Sequence, residues 1–455
     1  MNLTHAQCYE IVKSRDARFD GRFFTAVKTT GIYCRPICPA RRPLAKNVQF
    51  YATAAAAAKA GFRPCLRCRP ESSPGMEDWL DRSELVSRAV RLIDEGVFDA
   101  SGATGLASHL HISPRQLQRL FGQHLGASPV AVAQTRRALF ARKLIKETNL
   151  PMTEIAFSAG YKSVRRFNAA ILATYGNSPR EFRKFLENPS KRGHTSTIQL
   201  SLSYRPPYDW EACLQFMAAR AIPSVESVEG RQYRRTIAVD GKLGVLEIRP
   251  NPPKNSLQLT LPIQLASALL TIVEKVRRLF DLRAAPLKIN AHLQQDLRLT
   301  EQIDLRSGLR VVGAWDGFEC AVLAILCQQN DLPTATHLAG QLAQTFGTAL
   351  GDVEPTELSF VFPEAGRLIS ADLSKIGISQ QNAAAIQALA QRVADGRIQW
   401  NTHADLDKAI EKLTAISGIS MGAAQQIAMH ALNEPDAFSA ENITLRRMMT
   451  PADSP

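Results

Sequence analysis

The chain has 455 residues, 45% hydrophobic and 21% charged, with 26 glycines and 25 prolines, which excludes a small disulfide scaffold or a low-complexity chain and predicts two to four globular domains. No run reaches the roughly 18 apolar residues of a membrane helix, and the start Met1-Asn2-Leu3-Thr4 shows neither a basic nor an apolar leader region, so a cytoplasmic protein without a membrane partner is expected. Charge is uneven: residues 1–193 carry a net +16 and residues 194–455 a net −3, which predicts a polyanionic partner for the front half alone.

The cysteines come first in chain order. Four of the eight form two close pairs, Cys34-x3-Cys38 and Cys65-x2-Cys68, a spacing that suits a tetrahedral Zn2+ held by four thiolates in a reducing compartment. Spacing alone reads as a structural site, because four thiolates leave no open position for water. Cys213, Cys320 and Cys327 lie in apolar patterns and read as buried thiols acting as small hydrophobes.

The residues around the pairs say more. Asp20-Gly21-Arg22-Phe23-Phe24, the run Val27 to Arg41 containing Tyr33-Cys34-Arg35-Pro36-Ile37-Cys38-Pro39, then Asn47-Val48-Gln49-Phe50-Tyr51 and Gly61-Phe62-Arg63-Pro64-Cys65-Leu66-Arg67-Cys68 closely resemble the N-terminal domain of the Ada DNA-repair regulators, over about residues 5–72. The resemblance implies that Cys34 takes a methyl group from a DNA methylphosphotriester, once per chain, with Cys38, Cys65 and Cys68 as co-ligands of the zinc. A zinc-bound thiolate is nucleophilic at neutral pH, so this chemistry suits the residues. Methylation removes a negative charge from a surface facing phosphates, and DNA binding should then tighten. Arg35, Arg41, Arg42, Arg63, Arg67 and Arg69 cluster around the ligands, and Arg35 and Arg67 are the expected phosphate contacts.

From Glu77 to about Arg183 the sequence repeats at an offset of 50: Ser113, Arg115, Leu117, Phe121, Gly126, Ser128 and Pro129 match Ser163, Arg165, Phe167, Ile171, Gly176, Ser178 and Pro179. Each copy predicts a short helix (Leu106, Ala107, Leu110; Ile155, Ala156, Ala159 inward), a tight turn and a second helix, capped in the first copy by Ser113-Pro114. Arg115, Gln116, Gln118 and Arg119, and in the second copy Lys162, Ser163, Arg165, Arg166 and Asn168, are left facing outward, as major-groove readout needs. The pair resembles an AraC-type double helix-turn-helix domain, whose partner would be promoter DNA.

Residues 188–197 read as a polar linker. Beyond it, strands are predicted at Gln199–Tyr204, Gln232–Val239, Gly244–Arg249 and Ser256–Leu261, with helices at 214–220 and 264–280, which makes an α+β domain. Helices are then predicted at 315–329, 333–346, 380–395, 404–416 and 421–432. The segment Leu413–Ala424, with Gly418 between two of them, reads as a helix-hairpin-helix that offers backbone N–H groups to a phosphate. With Arg205-Pro206-Pro207-Tyr208-Asp209-Trp210 and Arg278-Leu279-Phe280-Asp281-Leu282, residues 198–450 resemble 3-methyladenine DNA glycosylase II of the AlkA type.

The chemistry-bearing positions of that family are altered. The resemblance puts Asn442 where the family has its catalytic aspartate, with Glu441 before it, and an amide carries no charge to face an oxocarbenium-like sugar. Gly422 and Gln426 stand where two stacking aromatics are expected, Gln329 at the apolar wedge and Ser420 at the second hairpin glycine; the chain stops at Pro455, short of a further pocket aromatic. The expected fold is multidomain: a small zinc-bound α/β domain (1–75), an all-α double helix-turn-helix domain (77–187), a linker (188–197), an α+β domain (198–300) and an all-α helix-hairpin-helix glycosylase-like domain, truncated (301–455). The expected function is an alkylation-response activator that demethylates phosphotriesters on Cys34, works with RNA polymerase as a monomer in the cytoplasm, and carries an inactive glycosylase-like half. Two alternatives stay open: a working bifunctional activator and glycosylase, and a transcription factor whose zinc is purely structural.

Overall fold

A computed structural model describes residues 3–74, 84–94, 96–186, 196–351, 357–400, 406–434 and 436–440. Helix α1 (His5–Ser14) opens on a capping box between Thr4 and Gln7. Strands β1 (Phe24–Val27), β2 (Ile32–Cys34) and β3 (Val48–Tyr51) follow, then helix α2 (Ala54–Lys59) and the short strand β4 (Arg63–Pro64). The sheet order is β3-β1-β2-β4, antiparallel except for β2 against β4. Phe24, Ala26 and Tyr33 bury one face against Ala54 and Ala57 of α2. The parallel pairing places Tyr33 opposite Pro64, so the residues that follow, Cys34 and Cys65, leave the sheet side by side.

Helices α3 (Glu84–Asp94) and α4 (Val97–His109) lead into the repeat; α4 is broken at Gly102, so its second half is the first helix of the first helix-turn-helix. Helix α5 (Pro114–Leu125) starts where expected, with Ser113 accepting from the Gln116 N–H and Pro114 in the first turn. Leu106, Ala107, Leu117, Phe121 and Leu125 share one core with α3. A long helix, α6 (Pro129–Glu147), joins the two copies, and α7 (Met152–Ser158) and α8 (Val164–Tyr175) form the second, followed by α9 (Pro179–Leu186). The turn between α7 and α8 needs Gly160: its φ is +82°, and an added Cβ would lie 2.9 Å from the Asp99 carboxylate.

From here the chain passes between two compact units, one of residues 1–209, 248–277 and 282–309, the other of 210–247, 278–281 and 310–455. Strand β5 (Thr197–Ser203) takes in the last residue of the expected linker; the rest of that linker, up to residue 195, lies outside the described residues. Helix α10 (Trp210–Arg220) and strands β6 (Glu226–Glu229), β7 (Gln232–Val239), β8 (Lys242–Asn251) and β9 (Ser256–Pro262) come next. In the first unit β5 and β9 pair antiparallel from Thr197↔Pro262 to Ser203↔Ser256; in the second, β6 and β7 form a hairpin. The expected helix at 264–280 begins as a 3-10 segment, Ile263–Ala268, before α11 (Leu269–Leu279). Helices α12 (Pro286–Leu293) and α13 (Leu297–Leu305) were not legible as helices in the sequence.

The second unit is built on α14 (Gly317–Leu326), α15 (Leu332–Phe346), a two-residue ribbon of β10 (Thr348–Ala349) with β11 (Phe360–Val361), α16 (Ala365–Leu368), α17 (Gln380–Ala394), α18 (Leu406–Thr414) and α19 (Met421–Ala431). The five helices expected here correspond to α14, α15, α17, α18 and α19, and Ala321, Ile325, Leu342, Ile386, Leu413 and Ile427 are among the residues of a single apolar core. Between α18 and α19 Gly418 has φ +92°, with an added Cβ only 2.7 Å from that of Ala385. Ser420, at the position of the second hairpin glycine, caps α19 by accepting from the Ala423 N–H. Glu441 and Asn442 lie outside the described residues.

Candidate functional site

The four paired cysteines converge. Their sulfurs lie within 4.8 Å of one another, and Cys38 Sγ is 3.9 Å from Cys65 Sγ. A zinc ion about 2.3 Å from each of four thiolates sets their sulfurs about 3.8 Å apart, so this donor set fits a tetrahedral zinc. Cys65 and Cys68 are buried, whereas Cys34 and Cys38 are half-buried. Their shared protons split the set: S–H donation from Cys34 pulls the Cys38 thiol down to about 7 and also lowers Cys65. Cys68 Sγ also accepts the Arg35 backbone N–H at 3.3 Å.

Arg35 is not where the sequence analysis puts it. It is buried, its Nε donates to Asp20 Oδ1 at 2.8 Å, its Nη2 pairs with Asp20 Oδ2, and its Nη1 donates to the Cys68 carbonyl at 3.0 Å. A guanidinium committed to a buried carboxylate is unavailable to a phosphate, so this residue frames the site instead of lining its surface. On the other side, Arg142 of α6 is wholly buried; it pairs with Glu71 and donates to the carbonyls of Cys65 at 3.3 Å and Leu66 at 2.9 Å. Sequence reasoning missed Arg142 and Glu71, because an arginine within a helix ordinarily reads as a solvated side chain.

Arg67, beside the ligands, is exposed, as are Arg41, Arg42 and Arg63. On α5, Arg115, Gln116 and Arg119 are exposed while Leu117 and Phe121 are buried; around α8, Lys162, Arg165 and Arg166 are exposed while Phe167 and Ile171 are buried. Zinc-site arginines and both outward helix faces therefore lie open on the first unit, which carries the positive charge.

The second unit holds a cavity of about 770 Å3 whose walls include Phe216, Arg220, Trp315, Cys320, Gln426 and His430. The Arg220 guanidinium lies 3.9 Å over the Phe216 ring, and His430 Nδ1 is bonded to the Val312 carbonyl at 2.7 Å. Cys320 and Cys327 are half-buried at this wall instead of inside the core, and burial pushes the Cys320 thiol up to about 12, which leaves it protonated. Gln426 faces the cavity where an aromatic was expected. Gln329, at the wedge position, is held by Gln381 and Ser379 at 2.6 and 2.7 Å. Its neighbour Gln328 ties the hairpin, donating to Gly418 O and accepting from Ser420 N, both at 2.8 Å.

Three family models match: the metal binding domain of Ada over residues 7–71, a helix-turn-helix domain over 106–184 and the AlkA N-terminal domain over 199–316. A Mycobacterium tuberculosis protein described as a "Probable bifunctional transcriptional activator/DNA repair enzyme AlkA" is 37% identical over 97% of this chain and 88% of its own length. The Escherichia coli "Bifunctional transcriptional activator/DNA repair enzyme Ada" is 37% identical over 42% of this chain and 52% of its own. The Escherichia coli "DNA-3-methyladenine glycosylase 2" is 33% identical over 55% of this chain and 88% of its own.

Proposed function

Since the chain belongs to the family of fused Ada–AlkA bifunctional transcriptional activators and DNA repair enzymes, we propose that it is a DNA alkylation sensor that moves a methyl group from a DNA methylphosphotriester onto Cys34 and then activates transcription. The observation that carries this is the closure of four cysteine sulfurs into one zinc-sized cluster at the end of β2. When bound, zinc keeps the four thiols deprotonated at neutral pH. The Cys34 sulfur attacks the methyl carbon as the carbon–oxygen bond breaks, and the phosphodiester leaves as an anion; the thioether then stays on the protein. What supports Cys34 as the acceptor is the likeness of the segment around it to the metal binding domain of Ada, whose family model covers residues 7–71.

The exposed faces of α5 and α8 then read promoter DNA, with Arg115, Gln116 and Arg119 on one and Lys162, Arg165 and Arg166 on the other. Methylation makes the zinc surface less negative, and with Arg67 nearby this strengthens phosphate binding. Two reading helices on one chain suit a monomer, and activation implies contact with RNA polymerase. No described helix is long and apolar enough to cross a membrane, and a cytoplasmic location agrees with thiols kept reduced.

The test is transfer of isotopically labelled methyl from methylphosphotriester DNA to the zinc-loaded protein, followed by peptide mapping. Label on Cys34, absent from Cys34→Ser, is expected. Zinc-bound protein that stays unlabelled would leave only a structural zinc.

For the second unit we propose DNA holding without base excision. Gln426 in the cavity wall, a tethered Gln329 and Asn442 in the catalytic position all lack what excision needs, while Gly418 keeps the left-handed turn of the hairpin. Single-turnover release of 3-methyladenine from alkylated DNA should match the no-enzyme blank. Release above the blank would restore the bifunctional alternative, and comparison with Asn442→Asp would then show what charge is missing.

A further inference from the structure

Arg205 lies two residues beyond the end of β5 and is fully buried. Its Nε donates to the backbone carbonyl of Asp20 at 2.8 Å, and its Nη1 to the carbonyls of Arg283 at 2.5 Å and Ala284 at 3.4 Å. A guanidinium stripped of water must find acceptors within the protein, and here they come from chain segments on both sides of it. Asp20 is the next link, for its carboxylate grips Arg35. Arg35 in turn donates its backbone N–H to Cys68 Sγ and its Nη1 to the Cys68 carbonyl. Cys34 is the residue before Arg35. One continuous line of hydrogen bonds thus joins a residue beyond the helix-turn-helix repeat to the sulfur ligand Cys68, and the peptide bond of Arg35 carries it on to Cys34.

Other bonds within the first unit tie the same segments together. Ser158 Oγ of α7 donates to Ala266 O at 2.7 Å, Arg277 Nη1 to Pro74 O at 3.0 Å, and Ser201 N of β5 to Glu147 Oε2 of α6 at 3.1 Å. The attachment is therefore broad, and Arg205 is its point of contact with the cysteine frame.

We propose that Arg205 is a positioning residue of the methyl-accepting centre: by fixing Asp20 it sets Arg35 and the Cys34 and Cys68 sulfurs, so that the segment downstream of residue 196 is a working part of the N-terminal reaction. The kinetic part of this inference rests on methyl transfer to Cys34; the zinc-holding part does not.

The experiment uses full-length zinc-loaded protein and two readouts, the rate of zinc release to a chromogenic chelator and the rate of methyl uptake from methylphosphotriester DNA. Arg205→Met should release zinc roughly 10-fold faster and take up methyl more slowly, the scale expected when a charge-assisted hydrogen bond is lost. Arg205→Lys, which keeps the charge and one set of donors, should fall between it and the unmodified protein. Asp20→Asn should resemble Arg205→Met, and the double variant should lose less than the product of the two single effects, because both act through one chain of contacts. Zinc release unchanged in both Arg205 variants overturns the proposal, as does full multiplicativity with Asp20→Asn. Should Arg205→Met fail to fold, zinc release from Arg205→Lys decides alone. Failure of methyl transfer in the unmodified protein would sink the reading of Cys34 while leaving the zinc-release result intact.

Discussion

The zinc centre of the first unit and the cavity of the second differ in how the groups that line them are held. Around the four cysteines the charged groups are held by named partners: sulfurs within 4.8 Å, Arg35 on Asp20, Arg142 on Glu71. Around the cavity the walls include Phe216, Trp315 and His430, while Gly422 and Gln426 stand where the resemblance implies stacking aromatics and Gln329 where it implies an apolar wedge. On the reading proposed for this unit its fold outlasts base excision, because the apolar core that supports the walls, here Ile325, Ile386 and Ile427, is specified independently of the residues that face the cavity. The zinc site has less separation: two of its ligands, Cys65 and Cys68, are themselves buried in the same small domain as the apolar core of Phe24, Ala26, Tyr33, Ala54 and Ala57, so losing them strips the domain of part of its support.

That contrast is broken most directly by removing the metal. Stripping zinc with a chelator should unfold the sheet of β1 to β4, since structural zinc contributes about 10–16 kcal/mol in small zinc-dependent domains. Hydrogen exchange at the β1 and β3 amides is the measurement; amides that stay protected after chelation would mean the sheet stands without its metal. Next in size is Arg142→Met. It leaves Glu71 buried without its cation, and breaking a buried pair from one side typically costs about 3–5 kcal/mol. Denaturant unfolding should show the loss, and adding Glu71→Gln should recover part of it. A cost under about 1 kcal/mol would mean that the two charges are solvated in solution.

The same contrast explains what could be read in advance. Cysteine spacing, the Ser113-Pro114 cap and the Phe167/Ile171 pair follow from local rules, and β7 occupies the predicted residues Gln232–Val239. What escaped depends on distant partners. Arg35 sits among surface-facing arginines in sequence, yet Asp20 withdraws it from the surface, and Arg142 looks like any basic residue on a long helix until Glu71 and the Cys65 carbonyl meet it. Charge pairs between segments leave no periodic trace in either segment. The same holds for Cys320 and Cys327, whose apolar neighbours suggest a core although the cavity opens beside them.

Two smaller effects sharpen the second unit's side. Gly418→Ala forces a side chain into φ +92° and within 2.7 Å of the Ala385 Cβ, a combination expected to cost about 1–3 kcal/mol and to weaken hairpin binding to duplex DNA. Thermal melting that does not move would show the hairpin to be loose enough to rearrange. The smallest effect concerns His430. Burial at the cavity wall lowers its pKa from the ordinary 6.5, with the Val312 carbonyl pulling the other way. The unfolded chain then binds a proton at this residue before the folded one does. Stability from this group is fully present above about pH 6.5 and falls away as the solution is acidified through the lowered folded value, by at most about 1.4 kcal/mol for each pH unit and each proton. His430→Gln, which cannot titrate, should flatten that part of the profile between pH 7 and pH 5. If both proteins lose stability in parallel over this range, the proton is going elsewhere and the cavity wall is wetter than its burial implies.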